Sequence, residues 1–171
     1  MENIYKYILN LIFPKKCINC KREGSFLCED CLSLIEINQI KYCACANNPK
    51  KGILKCSDCP SNIYCVHTVL NEKQYLTQKL YLKAKNLSEL NNYFSYLIIT
   101  YIKNEANIKL DNNFSIFFKD EEMKNIALNL AKFTKLKIGR KTDNILFLTK
   151  KYPKESINLK NKKVFVISLF R

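Results

Sequence analysis

The sequence predicts an α/β protein in which a small N-terminal metal-binding module precedes a domain built on a parallel sheet. Eight of the nine cysteines fall before residue 60, and they form four close pairs. After residue 60, apolar strand-like runs alternate with amphipathic helical segments, which is the pattern of a parallel α/β sheet. We therefore expect two domains, 1–60 and 61–171.

The cysteine spacing predicts zinc. Two thiolates separated by two residues can face one metal ion from a tight turn, and two such pairs complete a tetrahedral site of four sulfur ligands. A disulfide framework is the alternative, and it requires an oxidising compartment. The start of the chain carries an acid, lacks a basic region and shows no cleavage site, so we expect a cytoplasmic protein that binds one or two zinc ions. The predicted ligands are Cys17, Cys20, Cys28, Cys31, Cys43, Cys45, Cys56 and Cys59.

The second set of ligands departs from the usual spacing. Cys43 and Cys45 are separated by only one residue. Cys65 or His67 would be substitute ligands, since imidazole and thiolate both bind zinc. Neither residue keeps a ligand-pair spacing, so we favour a small buried side chain for Cys65 and an ordinary strand imidazole for His67. The pairs can share a zinc with their neighbours along the chain, or they can interleave.

The N-terminal module is predicted to consist mostly of turns and loops. Residues 2–13 have apolar positions at helical spacing and predict a short amphipathic helix that Pro14 ends. Residues 29–35 favour one or two helical turns after the second cysteine pair. Residues 47–52 contain Asn, Pro and Gly and favour a loop.

The second domain is predicted to alternate strands with helices. We expect strands over 64–70, 114–118, 144–148 and 164–170, and helices over 73–85, 89–103 and 120–135. Ser88 is the expected N-cap of the second helix. Asp120 is the expected N-cap of the third, with Glu121 and Glu122 in its first turn, where the helix dipole favours acids. This position accounts for the three acids without a catalytic role.

The net positive charge of the chain promotes non-specific binding to polyanions but does not indicate a binding site. The formal net charge is +14, nearly all of the cations are lysines, and these lysines are spread over every segment. Such a charge promotes contact with nucleic acid without defining a binding face. No apolar run is long enough to span a membrane. The cations beside the first cysteine pair are the weak nucleic-acid candidates, namely Lys15, Lys16, Lys21 and Arg22.

Four segments together resemble a known family. They are residues 9–20 (LNLIFPKKCINC), 24–32 (GSFLCEDCL), 42–43 (YC) and 56–59 (CSDC). They resemble the N-terminal region of the ComF family of competence-associated proteins. Residues 82–85 (LKAK) and 125–132 (NIALNLAK) resemble later segments of the same family. The resemblance implies a zinc ribbon joined to a phosphoribosyltransferase-like domain, and a link to the uptake of transforming DNA in bacteria.

The chain departs from that family at the donor site. In the family, a hydrophobic strand runs into two acids and a Thr-Thr-Gly turn that binds phosphoribosyl pyrophosphate. Ser168 and Leu169 stand where those acids belong, and Asn86 stands at a glycine position of an earlier loop. The sequence ends before the turn, so we expect an incomplete, truncated phosphoribosyltransferase-like domain with no catalytic residues. His67 has no recognisable nucleophile or carboxylate partner.

Three functions therefore stay open at this point. The first is a zinc protein without transferase activity that binds nucleic acid (single-stranded DNA) or a protein partner. The second is a ComF-type phosphoribosyltransferase whose donor site is non-standard or is completed by a partner chain. The third is a truncated relic that folds around its metal and has no function.

Overall fold

A six-stranded sheet forms the centre of the protein. The computed structural model describes residues 11, 13–38, 41–42, 62–106, 108–151, 159 and 161–170. The strand order is β1-β2-β6-β5-β3-β4, with β1 antiparallel to β2 and the other five strands parallel. The fold is thus a mixed α/β structure with a five-stranded parallel sheet, as the alternating pattern predicted. The strands are β1 (Lys41–Tyr42), β2 (Ile63–Thr68), β3 (Phe114–Phe118), β4 (Lys137–Ile138), β5 (Asn144–Lys151) and β6 (Lys163–Phe170).

Four helices accompany the sheet in the part of the chain that the structure describes. They are α1 (Glu29–Ser33), α2 (Tyr75–Ala84), α3 (Asn91–Tyr101) and α4 (Lys124–Thr134). Single 3₁₀ turns precede α3 and α4, at Ser88–Leu90 and Glu121–Met123, and a π-helical turn, Ile102–Ala106, follows α3. Lys135 follows the last residue of α4 and adopts the left-handed conformation often found just past a helix C-terminus.

The predicted strands and helices that fall within the described residues are present, but several of them begin or end at other residues. The strand at Phe114–Phe118 is confirmed, and so is the helical turn after Cys28. The predicted helix over 89–103 divides into a 3₁₀ turn, α3 and the π-helical turn, and neither Ser88 nor Asp120 caps a helix through its side chain. The short strands β1 and β4 were not predicted, because two residues carry no periodic signal.

The long strands are apolar on both faces because the sheet is covered on both. In β5, Leu146 and Leu148 belong to the larger core cluster, which contains residues of all four helices. The alternate residues Ile145 and Phe147 belong to a second cluster on the opposite face. Burial on both faces explains why parallel strands read as continuous apolar runs.

The cysteine-rich segment packs into the same core as the sheet. Ile18, Leu27 and Ile35 are buried in the cluster that contains Val69 and Leu70 at the end of β2. The backbone N–H of Asn38 donates to the Val69 carbonyl at 2.7 Å, and Ile37 forms an antiparallel bridge with Leu70. The segment is therefore held at the carboxyl end of β2 by both apolar contacts and backbone hydrogen bonds.

Three predictions for the first part of the chain concern residues largely outside this description. Most of the predicted helix over 2–13, the predicted loop over 47–52 and the predicted boundary near residue 60 lie outside the described residues. Among the described helices, none has the length and apolar character needed to cross a membrane.

Candidate metal centre

The first cysteine pair lies in a tight reversal of the chain. Lys16 and Glu23 form an antiparallel bridge, and the Lys21 N–H donates to the Cys17 carbonyl at 3.0 Å. Lys21 has a φ of 67°, a left-handed conformation that turns the chain directly after Cys20. The reversal brings the Cys17 and Cys20 thiols to the same side of the turn, as a metal-binding knuckle requires.

The second cysteine pair uses a helix. Cys28 is the residue immediately before α1, and Cys31 lies within α1, where the Leu32 N–H donates to the Cys28 carbonyl at 2.8 Å. A separation of three residues places two side chains on the same side of a helical turn. The helix therefore brings the second pair of thiols together without a loop.

The two pairs converge on one point. The sulfur atoms of Cys17, Cys20, Cys28 and Cys31 all lie within 4.8 Å of one another, and those of Cys20 and Cys28 are 3.5 Å apart. A tetrahedral zinc–thiolate site with bonds of about 2.3 Å places its sulfur atoms about 3.8 Å apart. A disulfide needs a sulfur separation of about 2.05 Å, and all four cysteines are free. The arrangement is a cluster of four free thiols with the dimensions of a metal site.

The surroundings of the thiols favour thiolate at one position and protonated thiol at another. Burial raises the pKa of the Cys17 thiol, but the backbone N–H groups of Cys28, Cys20 and Asn19 and the side chain of Cys20 outweigh burial and lower it to about 6. The Cys31 N–H lowers the pKa of Cys28, whereas burial and the neighbouring thiols raise it to about 12. One negative charge is thus accommodated readily, and further thiolates need a cation to offset their mutual repulsion.

The cluster is largely shielded from water. Cys17, Cys28 and Cys31 are buried, and Cys20 is exposed. The side-chain amide of Asn19 donates to the Cys31 sulfur at 3.4 Å, a contact of the kind that orients metal ligands. Four protein ligands in a mostly buried cluster are typical of a structural site rather than a catalytic one, which keeps an open position.

The cations that the sequence placed beside this cluster lie close to acids. Lys15 forms an ion pair with Glu89, and Arg22 forms one with Asp30. The pairing with Asp30 also raises the pKa of Arg22. Ion pairs as exposed as these contribute little stability, so a competing anion can replace the acid. The other two cations are Lys16, whose Nζ lies 3.5 Å from the carboxylate of Glu23, and Lys21, which is exposed.

The other predicted ligands fall into two groups. Cys43, Cys45, Cys56 and Cys59 lie outside the described residues. Cys65 and His67 are both buried in β2, and the His67 Nδ1 and the Tyr101 hydroxyl are hydrogen-bonded at 2.9 Å. Their burial agrees with the structural roles that we favoured from the sequence.

The acids near residue 120 have partners that sequence spacing did not reveal. Asp120 accepts hydrogen bonds from the Thr149 hydroxyl and the Lys150 N–H, both at 3.0 Å. Glu122 accepts a hydrogen bond from the Tyr81 hydroxyl and forms an ion pair of 3.0 Å with the Lys150 ammonium. These partners belong to α2 and β5, which lie close to residues 120–122 only in the folded protein. The local sequence around residue 120 therefore does not indicate them.

Ser168 and Leu169 lie inside β6 and are buried. The Ser168 hydroxyl donates to the His67 carbonyl at 3.2 Å and is hydrogen-bonded to the Thr68 hydroxyl at 2.9 Å. The Ser168 side chain is therefore part of the contact between β2 and β6. Neither Ser168 nor Leu169 provides a carboxylate there.

In comparisons with known proteins, no family model matches the chain, and no curated protein or solved structure matches it significantly.

Proposed function

We propose that the chain is a zinc protein of the ComF type, in which Cys17, Cys20, Cys28 and Cys31 hold one structural zinc ion. The observation that carries the proposal is the convergence of the four sulfur atoms to within 4.8 Å. Four thiolates in tetrahedral arrangement favour zinc or iron among the common metals. Zinc fits this site better because it needs no redox partner and commonly stabilises small modules that have little core of their own.

The same proposal gives the N-terminal ribbon an interaction role, with single-stranded DNA as the partner. The net charge of +14 draws the chain toward polyanions. Lys15, Lys16 and Arg22 lie beside the thiol cluster in exposed ion pairs with acids. A phosphate group can displace those acids at low cost, because exposed pairs are worth less than about 1 kcal/mol. The resemblance to the ComF family adds a role in the uptake of transforming DNA to this proposal.

Transferase activity is not part of the proposal. Holding the ribose of a phosphoribosyl donor requires carboxylates at the end of a strand, as the resemblance implies. Ser168 occupies one of those positions as a buried hydroxyl that is hydrogen-bonded to Thr68. Native mass spectrometry with phosphoribosyl pyrophosphate and magnesium should therefore detect no donor adduct, and a stoichiometric adduct would favour the transferase function instead.

Zinc content is the first test of the proposal. Native mass spectrometry of zinc-replete protein should show bound zinc, and Cys31→Ser should lose one ion, because the remaining three thiols leave the site open. Cys65→Ala is the matched control, since it removes a buried cysteine outside the cluster and should keep the full zinc content. Equal zinc content in Cys31→Ser and the unaltered protein would contradict the proposed site.

DNA binding is the second test. Replacing Lys15, Lys16, Lys21 and Arg22 by alanine should weaken binding of a fluorescent single-stranded oligonucleotide and lower its salt dependence. Four lost phosphate contacts reduce the slope of log affinity against log salt concentration by about 3 for a single strand. The control replaces four other exposed lysines, Lys73, Lys83, Lys132 and Lys141, and changes the net charge equally. A similar loss in both variants would mean that net charge, and not the ribbon, binds the DNA.

A further inference from the structure

A groove lies between α3, the π-helical turn that follows it, and the end of α4. Its volume is about 800 Å³. Pockets that bind small molecules usually measure about 300–1,000 Å³. The groove is on a different part of the chain from the thiol cluster and shares none of its residues. We call it the α3–α4 groove.

The walls of the α3–α4 groove are apolar. Tyr96 from α3 and Phe133 from α4 are 56% and 59% exposed, so each helix presents a large aromatic side chain to solvent. Exposed apolar surface gathered around a concavity marks a binding site more often than scattered exposed side chains do. The apolar lining residues are Tyr96, Ile99, Ile102, Ile108, Leu110 and Phe133.

The polar part of the lining carries positive charge alone. Lys103 and Lys109 line the groove and are exposed, and the described lining residues include no acid. Within the described part of the chain, neither lysine forms an ion pair, whereas many other lysines do. An apolar surface bordered by two cations without acidic partners favours a ligand that has an apolar body and an anionic group.

The backbone beside the groove is irregular. The π-helical turn Ile102–Ala106 contributes Ile102 and Lys103, the first buried and the second exposed, to the lining. Such turns are rare, and they occur frequently at functional sites. The turn brings one apolar and one cationic side chain to the same wall of the groove.

We propose that the α3–α4 groove binds a small anionic amphiphile, a molecule with a hydrocarbon or aromatic body and one carboxylate or similar anionic group. The body lies against the isoleucines, leucine and aromatic rings, where burial removes apolar surface from water. The anionic group lies between Lys103 and Lys109. This site is independent of the zinc site and of DNA binding.

Calorimetric titration of the zinc-replete full chain with dodecanoate, below its micelle concentration, tests the proposal. We expect saturable one-to-one binding with a dissociation constant on the order of 10 μM, within the range open to a ligand of this size. Dodecyltrimethylammonium has the same chain length and the opposite charge, so it should bind at least about tenfold more weakly. Acetate, which lacks the apolar body, should not bind measurably.

Charge variants locate the anionic group. Lys103→Gln combined with Lys109→Gln should weaken dodecanoate binding about tenfold, because the anionic group then loses both of its cationic partners. The double change to Glu should invert the preference and favour dodecyltrimethylammonium. Lys73→Gln with Lys83→Gln is the matched control, since both lysines are exposed and lie outside the groove. All of these lysines are on the surface, so the variants should fold.

Methyl chemical shifts locate the apolar body. Dodecanoate should shift the methyl signals of Ile99 and Ile108 in the groove and leave Ile145, which is buried on the opposite face of the sheet, unchanged. Three results would each overturn the proposal. They are equal affinity for the two amphiphiles, undiminished binding in the double glutamine variant, and no saturable binding of dodecanoate at concentrations up to about 1 mM.

Discussion

At the scale of single residues, cysteine spacing was the most informative feature of the sequence. Cys17 and Cys20 are separated by two residues, as are Cys28 and Cys31, and each pair is brought together by local backbone alone. Their candidate site was therefore predictable before any tertiary contact was known. The remaining predicted ligands, Cys43, Cys45, Cys56 and Cys59, stay a prediction.

Lys21 occupies a conformation better suited to glycine. Its φ of 67° is left-handed, which costs a residue with a side chain about 1–2 kcal/mol. Lys21→Gly removes this cost, and the greater freedom of glycine in the unfolded chain offsets part of the gain. We expect a net gain of about 0.5–1 kcal/mol in the free energy of unfolding of the zinc-loaded protein, measured by urea denaturation.

A control for Lys21 is available on the same turn. Arg22→Gly alters the next residue, which has no left-handed backbone, and should destabilise the protein. If both glycine variants lower the free energy of unfolding, the left-handed backbone at Lys21 is not the source of strain that we infer.

The lowered pKa of the Glu122 carboxyl predicts that the stability of the protein depends on pH. The Tyr81 hydroxyl, Lys150 and, more weakly, Lys85 lower the pKa of its carboxyl from 4.5 to about 2. The stabilisation is therefore present above about pH 4.5 and is lost as the pH falls toward 2. The Glu122 side chain is 44% exposed, and solvent screening limits the effect to about 1 kcal/mol.

The free energy of unfolding, measured at several pH values between about 5 and about 2, tests this prediction, because this range spans the ordinary and the lowered pKa of Glu122. Glu122→Gln should be less stable at the upper end and should lose less stability than the unaltered protein as the pH falls. Glu121→Gln is the matched control, because in the described structure Glu121 forms an ion pair only with Lys124, three residues further along the chain, at 2.7 Å. A pH profile of Glu122→Gln parallel to that of the unaltered protein would contradict the assignment.

At the scale of elements, apolar periodicity located the strands and helices, and contacts determined their ends. The strand predicted over 144–148 extends to Lys151 as β5, where Lys151 pairs with Phe170 of β6. Asp120 stands at the predicted N-cap position, before the 3₁₀ turn Glu121–Met123. Its carboxylate does not cap that turn, because it accepts hydrogen bonds from β5 instead. A local cap and a tertiary partner compete for the same oxygen atoms, and the sequence around residue 120 shows only the first.

Ser95 connects two helices. Its hydroxyl is fully buried and lies 3.0 Å from the Ile126 carbonyl of α4 and 3.0 Å from the Asn91 carbonyl of its own helix. Ser95→Ala removes this donor, and we expect a loss of about 1 kcal/mol in the free energy of unfolding, measured by urea denaturation. Ser88→Ala, at an exposed serine of the preceding 3₁₀ turn, should change it by less than about 0.5 kcal/mol. An equal effect of the two substitutions would rule out a role for the contact between α3 and α4.

At the scale of the whole molecule, the thiol cluster belongs to the main core. Cys17, Cys28 and Cys31 are buried in the same apolar cluster as Ile167 and Leu169 of β6. The Leu70 N–H donates to the Leu169 carbonyl at 2.9 Å, which joins the chain beyond β2 to the last strand. Changes at the candidate metal site should therefore alter the stability of the sheet.

Removal of the proposed zinc ion should destabilise the sheet as well as the cysteine-rich segment. Chelation of the zinc-replete protein should lower the melting temperature of the whole chain and reduce hydrogen-exchange protection of the Ile167 and Leu169 amides, because structural zinc contributes folding free energy directly. Cys31→Ser is the control: its site is already incomplete, so the chelator should cause little further loss. Unchanged protection of β6 after chelation would mean that the metal stabilises only its own module.

The sequence by itself determined the α/β class, the order of the long elements and the four thiols that form the candidate site. Each of these depends on periodicity or spacing within a few residues, which the chain carries locally. Only the tertiary structure decided the placement of the thiol cluster at the end of β2, the partners of Glu122 and the α3–α4 groove. These features join residues that are tens of positions apart, and their contacts depend on which strands and helices become neighbours when the sheet forms.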